Sequence, residues 1–227
     1  MREKIGVIAV AAMLIAPALA WLRLVPGLAG FVAFALGGLI ALGVGLVTVV
    51  QAARGRGLGL GGAVALIAGI AFLAIAARGR GAPRINDFTT DLADPPVLRH
   101  AAALPANAGR DLAYPPAFAP IQQACCADLR PARLPVPPAE AFARARRAAE
   151  TMPAWTITAA DDASGTIEAV ATTRLFGFQD DIAIRVRADG AGASRVDVRS
   201  KSRDGKGDLG TNAARIRAYV TALEAGR

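Results

Sequence analysis

The sequence predicts an α+β protein: three N-terminal transmembrane helices, then a two-layer domain with a four-stranded antiparallel meander and two flanking helices. Three observations predict it. Residues 5–22, 27–50 and 58–77 carry no charge, and about 20 helical residues cross the ~30 Å hydrocarbon core. Residues 181–187 and 195–203 each alternate apolar with charged side chains around a Gly-rich turn, the pattern of a hairpin with one apolar face. Helix-period segments flank this β region on both sides, at 138–152 and 211–223.

Residues 1–80 form the membrane region, with helices at about 5–24, 27–50 and 58–77. Gly37, Gly38, Gly43, Gly45, Gly61, Gly62 and Gly69 suit close helix packing. Gly59 to Gly62 is Gly-rich but matches no phosphate loop. Arg2 and Lys4 ahead of an apolar run ending in Ala18-Leu-Ala20 also resemble a cleavable signal peptide. Trp21 and Arg23 instead read as an interfacial anchor, and the run is read as an uncleaved helix. With the N-terminus inside, Arg2, Lys4, Arg54 and Arg56 face Arg23, Arg78, Arg80 and Arg84 across the membrane. That count is a tie, and the early Arg2/Lys4 pair places the C-terminal domain outside the cytoplasm. The expected setting is a bacterial inner membrane.

Composition narrows the function. The chain has 227 residues, 54% hydrophobic, with mean hydropathy +0.39 and a pI near 10.6. The net charge of +8 is split evenly, +4 in residues 1–77 and +4 in the rest. Without a basic stripe interleaved with aromatics, nucleic acid is not an expected partner. One histidine, His100, and two adjacent cysteines, Cys125 and Cys126, do not make a zinc site. No Gly-x-Ser-x-Gly elbow accompanies a serine. No cofactor and no metal is implied. A carboxylate-only Mg or Ca site from Asp180, Asp181 and Asp208 is the single metal arrangement the sequence offers, and the neighbouring arginines count against it.

Residues 81–137 form a Pro-rich strap in which the prolines preclude long helices. Ile85, Phe88, Tyr114, Phe118 and Ile121 are spaced as anchors, while 100–112 reads as a mobile tether. The α+β domain occupies 138–227. Pro138 opens a helix that buries Phe142, Ala145, Ala149 and Met152. Strands follow at 154–159 and 166–173, then the central hairpin. A last helix starts near Asp208 or Thr211 and buries Ile216, Tyr219 or Val220, and Leu223. A hairpin symmetric about Ala191 sets Arg185 opposite Asp197 and Asp181 opposite Lys201.

The candidate polar cluster is Asp87, Asp91, Asp180, Asp181, Arg185, Asp197, Arg199, Lys201, Arg203, Asp208 and Asn212. Such charges serve as a salt-bridged solvent face, as a network stapling the strap to the sheet, as a cleft for a small anion or lipid headgroup, or as a catalytic Asp/Arg group. Ser200 and Ser202 take apolar-face positions and need partners, for which Asn86 and Asp87 are available. The 203–210 loop, ahead of a helix, offers N–H groups and Lys206 to an anion. The reading is a membrane-anchored, non-catalytic interaction or small-ligand domain, the alternative being a membrane-bound enzyme. Its expected partners are the lipid bilayer and a small anion, lipid headgroup or membrane protein.

Several separate motifs stand in order: Ile85-Asn-Asp87 with Thr89-Thr-Asp91, Tyr114-Pro115, Ile121-Gln122, Ile167-Glu-Ala169, and Phe178 with Asp180-Asp181. Val196-Asp-Val-Arg-Ser-Lys-Ser-Arg203 follows, with Gly205, Asp208-Leu-Gly210 and Asn212-Ala-x-Arg215-Ile216. Together they resemble domain-of-unknown-function family 1499 over residues 83–224. That family occurs in bacteria, plants and algae, and many bacterial members carry N-terminal membrane helices. Cys125-Cys126 depart from it, standing where it has a Tyr-Pro-like pair. The resemblance implies a fold and a membrane setting; the family's activity is unknown, so no catalytic role comes with it.

Overall fold

The computed structural model describes residues 2–57, 59–77 and 79–226. Leu58, where the third apolar run begins, Arg78 of the charge count, and Arg227 lie outside the described residues. Contacts divide the chain into two units, residues 1–80 with 173–177, and residues 81–172 with 178–227.

The first unit is built on helices α1 (Arg2–Trp21), α2 (Gly27–Ala53) and α3 (Leu60–Ala77), each long and apolar enough to cross a membrane. α1 stops earlier than the apolar pattern suggests, because Arg23 takes a left-handed conformation at φ +60°. α2 runs three residues further than expected, to Ala53. The helices meet through small residues, with Ala9, Ala41 and Ala65 forming a buried cluster. Glycine is required where α2 and α3 touch: a Cβ on Gly45 would come within 2.5 Å of Leu66 Cα, and one on Gly69 within 2.5 Å of Leu42 Cα. Close backbone approach is how helices associate where no water drives burial.

The second unit contains β1 (Asp87–Thr89), α4 (Arg99–Ala103), a 3-10 turn (Pro105–Asn107), α5 (Phe118–Cys126), β2 (Ala132–Leu134), α6 (Pro138–Thr151), β3 (Trp155–Asp161), β4 (Thr166–Thr172), β5 (Gln179–Ala188), β6 (Ser194–Ser202) and α7 (Thr211–Glu224). Its antiparallel sheet has six strands in the order β1-β6-β5-β4-β3, with β2 also pairing β6. The expected four-stranded meander is therefore incomplete. Two three-residue strands from the strap pair with the free edge of β6, β1 along Arg199 to Lys201 and β2 along Ser194 to Val196. Neither is long enough to show an alternation in sequence.

The β5–β6 hairpin has the register its turn predicts, with Arg185 opposite Asp197 and Asp181 opposite Lys201. Gly190 and Gly192 supply positive φ in the connection. One face of the sheet packs on α6 and α7: Ile167, Ile182, Ile184, Val196 and Val198 meet Ala141, Ala145, Ala149, Ile216, Tyr219 and Leu223. Trp155 stacks on Tyr219 with ring centroids 5.4 Å apart. The buried Tyr219 hydroxyl donates to the Ala145 carbonyl at 2.9 Å. The other face carries the charges, and the strap lies on it. Leu98, Ala101 and Ala183 make a small apolar cluster there.

Candidate functional site

The alternation of β5 and β6 sorts the predicted cluster onto two faces. Asp181, Arg185, Asp197, Arg199, Lys201 and Arg203 project toward the strap, which contributes Asp87 and Asp91. Asp180 projects toward α7, which contributes Asn212, and Asp208 precedes that helix. Asp180 and Asp181 thus cannot share an ion, and among the described residues no group of His, Cys, Asp or Glu is placed to hold a metal.

On the strap face, Asp87 is fully buried. Arg199 donates to both its oxygens, Nε to Oδ1 at 2.9 Å and Nη2 to Oδ2 at 2.7 Å. Lys201 adds a third bond to Oδ2 at 3.0 Å. Arg199 spends its remaining donors on the carbonyls of Pro96 and Leu112. Its guanidinium lies 5.7 Å from the centroid of the Tyr114 ring, a cation–π distance. Burial, and then the Asp87 charge, push the Tyr114 phenol well above its ordinary range. β1 places Asp87 here because Asp87 pairs with Lys201 and Thr89 with Arg199. The outer edge of β1 is closed by Gln122 of α5, whose side-chain amide accepts from Thr89 N–H and donates to Thr89 C=O.

A second group joins three aspartates to three arginines. Asp197, fully buried, accepts from Arg185, Arg187 and Arg195. Asp91 Oδ2 accepts from the same three, at 3.4, 3.1 and 2.6 Å. Asp91 Oδ1 takes the N–H groups of Ala93 and Asp94. Asp94 pairs with Arg185 and Arg187 at 3.0 and 2.9 Å. Burial opposes ionisation of Asp91, but the Asp94 N–H, Arg195, the Ala93 N–H and Arg187 together hold its carboxyl below the usual range.

The third group centres on Asp181. Arg203 donates to it at 2.6 and 3.1 Å, and Asn107 Nδ2 at 2.9 Å. Lys201, its neighbour across the ladder, turns to Asp87 instead. Arg110 bonds Asn107 and the Ser202 carbonyl. Glu168 accepts from the backbone N–H groups of His100 and Ala101 at the start of α4. Residues 100–112 are therefore not a tether: Ala101 and Asn107 are 3% and 2% exposed, held by Glu168 and Asp181.

On the helix face, the partner of both serines is Asn212 rather than Asp87. Ser200 donates to Asn212 Oδ1 at 2.6 Å, and Asn212 Nδ2 donates to Ser202 Oγ at 2.8 Å. Asn86 contributes through its backbone carbonyl, which accepts from Ser202 N–H at 2.8 Å. Asp180 pairs with Arg215 at 2.7 Å. In the 203–210 loop, the N–H of Gly210 is taken by a side chain of the loop itself. Asp208 accepts from the N–H groups of Gly210 and of Asn212, in the first turn of α7, and Asn86 binds the Gly205 carbonyl. Burial, with the Asp180 charge adding to it, raises the Asp208 carboxyl above its ordinary value.

The chemistry available is pairing. Among the described residues, the buried side-chain polar atom without a partner is Thr173 Oγ1, outside this network. A groove of about 690 Å³ between α6 and the ends of β3 to β5 is lined by Phe142, Arg146, Asp162 and Val186 among others, and by none of the candidate residues. Both cysteines are unpaired at the end of α5, Cys126 buried and Cys125 exposed. Desolvation, then the hydrogen bond with Cys126, pushes the Cys125 thiol up to about 11, away from reactivity.

Sequence reasoning missed Asp94, Asn107, Arg110, Glu168, Arg187, Arg195 and Arg215 as members of the network. Glu168 and Arg215 stood inside the recognised motifs. Arg187 and Arg195 were visible as charged positions of the hairpin. Asn107 and Arg110 gave no signal, since neither lies in a periodic element.

The family described as "Protein of unknown function (DUF1499)" matches residues 87–223, more than half of the chain. No curated protein and no solved structure matches it.

Proposed function

This chain belongs to the DUF1499 family, and from that footing we propose that it is a membrane-anchored, non-catalytic interaction domain. Its Asp/Arg groups clamp the strap across the sheet. The observation that carries this reading is that the buried carboxylates Asp87, Asp181 and Asp197 are each held by arginines or lysines of the same unit. Catalysis needs an acid or base aimed into a cleft, whereas these groups aim at each other. Asp208, shifted upward by burial, favours the enzyme reading, yet it is occupied in holding the first turn of α7.

The partners this reading implies are the bilayer and a membrane protein or small anion met at the exposed surface. Nucleic acid is not among them, because acids dilute the basic residues throughout. This reading sets the second unit outside the cytoplasm, on the strength of Arg2 and Lys4 in the first turn of α1.

Hydrogen exchange on the detergent-solubilised full chain tests the clamp. Amides of Thr89, His100 and Ala101, which donate to Gln122 and Glu168, should exchange as slowly as the β5–β6 ladder. Asp87→Ala should release them while leaving β4–β5 protected. Free exchange of these amides in the unaltered protein would return the charges to a ligand role.

A further inference from the structure

We propose that the first unit carries a groove for an anionic phospholipid, formed by the last turns of α1 and the β4–β5 loop. Leu14, Pro17, Ala18 and Trp21 of α1, with Arg174 and Leu175 of the loop, line an open groove of about 420 Å³. Residues 173–177 cluster with the helices, so the groove belongs to one unit.

The loop is held in place rather than merely adjacent. The Phe176 ring lies 5.4 Å from that of Phe31 and 6.1 Å from that of Phe34. Gly27 leaves room for the Phe176 carbonyl, and Gly177, at φ +67°, leaves room for the Arg23 guanidinium; a Cβ at either would collide.

Charge selects the occupant. Arg174 is the one charged lining residue, and Arg23 lies against the same loop. The sole acid in residues 1–80 and 173–177 is Glu3, which packs beside Gly59 and Gly61, away from this loop. Arg174 is exposed, and no ion pair is formed by Arg174 or Arg23 among the described residues. This contrasts with the neutralised arginines of the second unit. Leu14, Trp21 and Leu175 stay 66%, 55% and 48% exposed. A tryptophan at the end of a span sits at headgroup depth, and basic pockets beside spans bind lipid phosphate. An acyl chain on the apolar wall with its phosphate on Arg174 satisfies both features; inorganic phosphate satisfies only one.

This inference rests on the helices spanning a bilayer, which flotation of the reconstituted protein checks separately. The chain has two tryptophans, so a Trp155→Phe background leaves Trp21 as the reporter. The full-length protein is reconstituted in phosphatidylcholine vesicles containing brominated phosphatidylglycerol or brominated phosphatidylcholine. Quenching of Trp21 should favour phosphatidylglycerol by about five-fold, the factor that ~1 kcal/mol from one arginine near an anionic headgroup supplies. Arg174→Gln should abolish the preference, while Arg174→Lys and Arg56→Gln should retain it. Inorganic phosphate should not relieve the quenching. In protein that floats with the vesicles, equal quenching by the two lipids, or a preference that survives Arg174→Gln, would overturn the proposal.

Discussion

Arg199 shows what a single residue contributes here. It is 2% exposed, and its donors go to one carboxylate and two carbonyls of the strap. Burying such a pair costs solvation, and removing one partner strands the other, at about 3–5 kcal/mol. Asp87→Ala and Arg199→Ala should each cost about that much. The double variant should cost clearly less than their sum, because neither charge is then left alone. Chemical denaturation of the three variants reads this directly, and additive losses would mean the two side chains act independently. Asp91 supplies a pH signature. Its folded carboxyl titrates below the ordinary value near 3.9, so its stabilisation is complete above that value and is lost as pH falls through the lower, folded one. Asp208 has the opposite sign: its raised folded value adds stability below the ordinary range that fades as pH rises. Asp91→Asn should therefore be less stable than the parent at pH 6, with the gap closing on acidification. A gap independent of pH would assign Asp91 a packing role instead.

At the scale of elements, legibility followed length. The β5–β6 hairpin could be read to the residue, because nine or ten alternating positions and a symmetric glycine turn leave one register. Helix α6 could be read from Pro138 and its alanine stripe. β1 and β2 could not, since three residues carry no period and their strand character comes from the free edge of β6 alone. The apolar anchors of the strap were legible all the same: Ile85 and Phe88 are fully buried. What the sequence did not convey was which polar groups those anchors bring together. Proline at 95 and 96 ends the extended run after Asp91. Glu168 then fixes the start of α4, and the 3-10 turn after it sets Asn107 against Asp181. None of these partners is close in sequence to the group it satisfies, so no local pattern announces them. The same logic explains Gln122, which reads as an ordinary helical residue but serves as a stand-in strand for Thr89. By closing that edge it also removes a template for pairing with other chains.

At the scale of the whole molecule, the expected sidedness rests on the order of the charges rather than on their number. The short segments at the two ends of the helices carry equal numbers of arginines and lysines, Arg2, Lys4, Arg54 and Arg56 against Arg23, Arg78, Arg80 and Arg84. The first helix inserts under the influence of its leading charges, and folded domains translocate largely regardless of their own. Arg2 and Lys4 lie in the first turn of α1, whereas Arg23 follows it, so the expectation is an N-terminus retained inside. With three spans, the same expectation sets residues 81–227 on the opposite side. Charges beyond Arg84, Arg174 among them, do not enter this count, because they follow the last helix in or beside a folded domain. An alkaline-phosphatase fusion after Arg227 should be active in intact bacterial cells, and a cytoplasmic reporter at the same point should be silent. Arg2→Glu with Lys4→Glu should weaken that asymmetry, since it leaves Arg23 as the stronger flank of α1. Full activity of the cytoplasmic reporter in the unaltered chain would invert the topology and place the Arg174 groove at the inner leaflet.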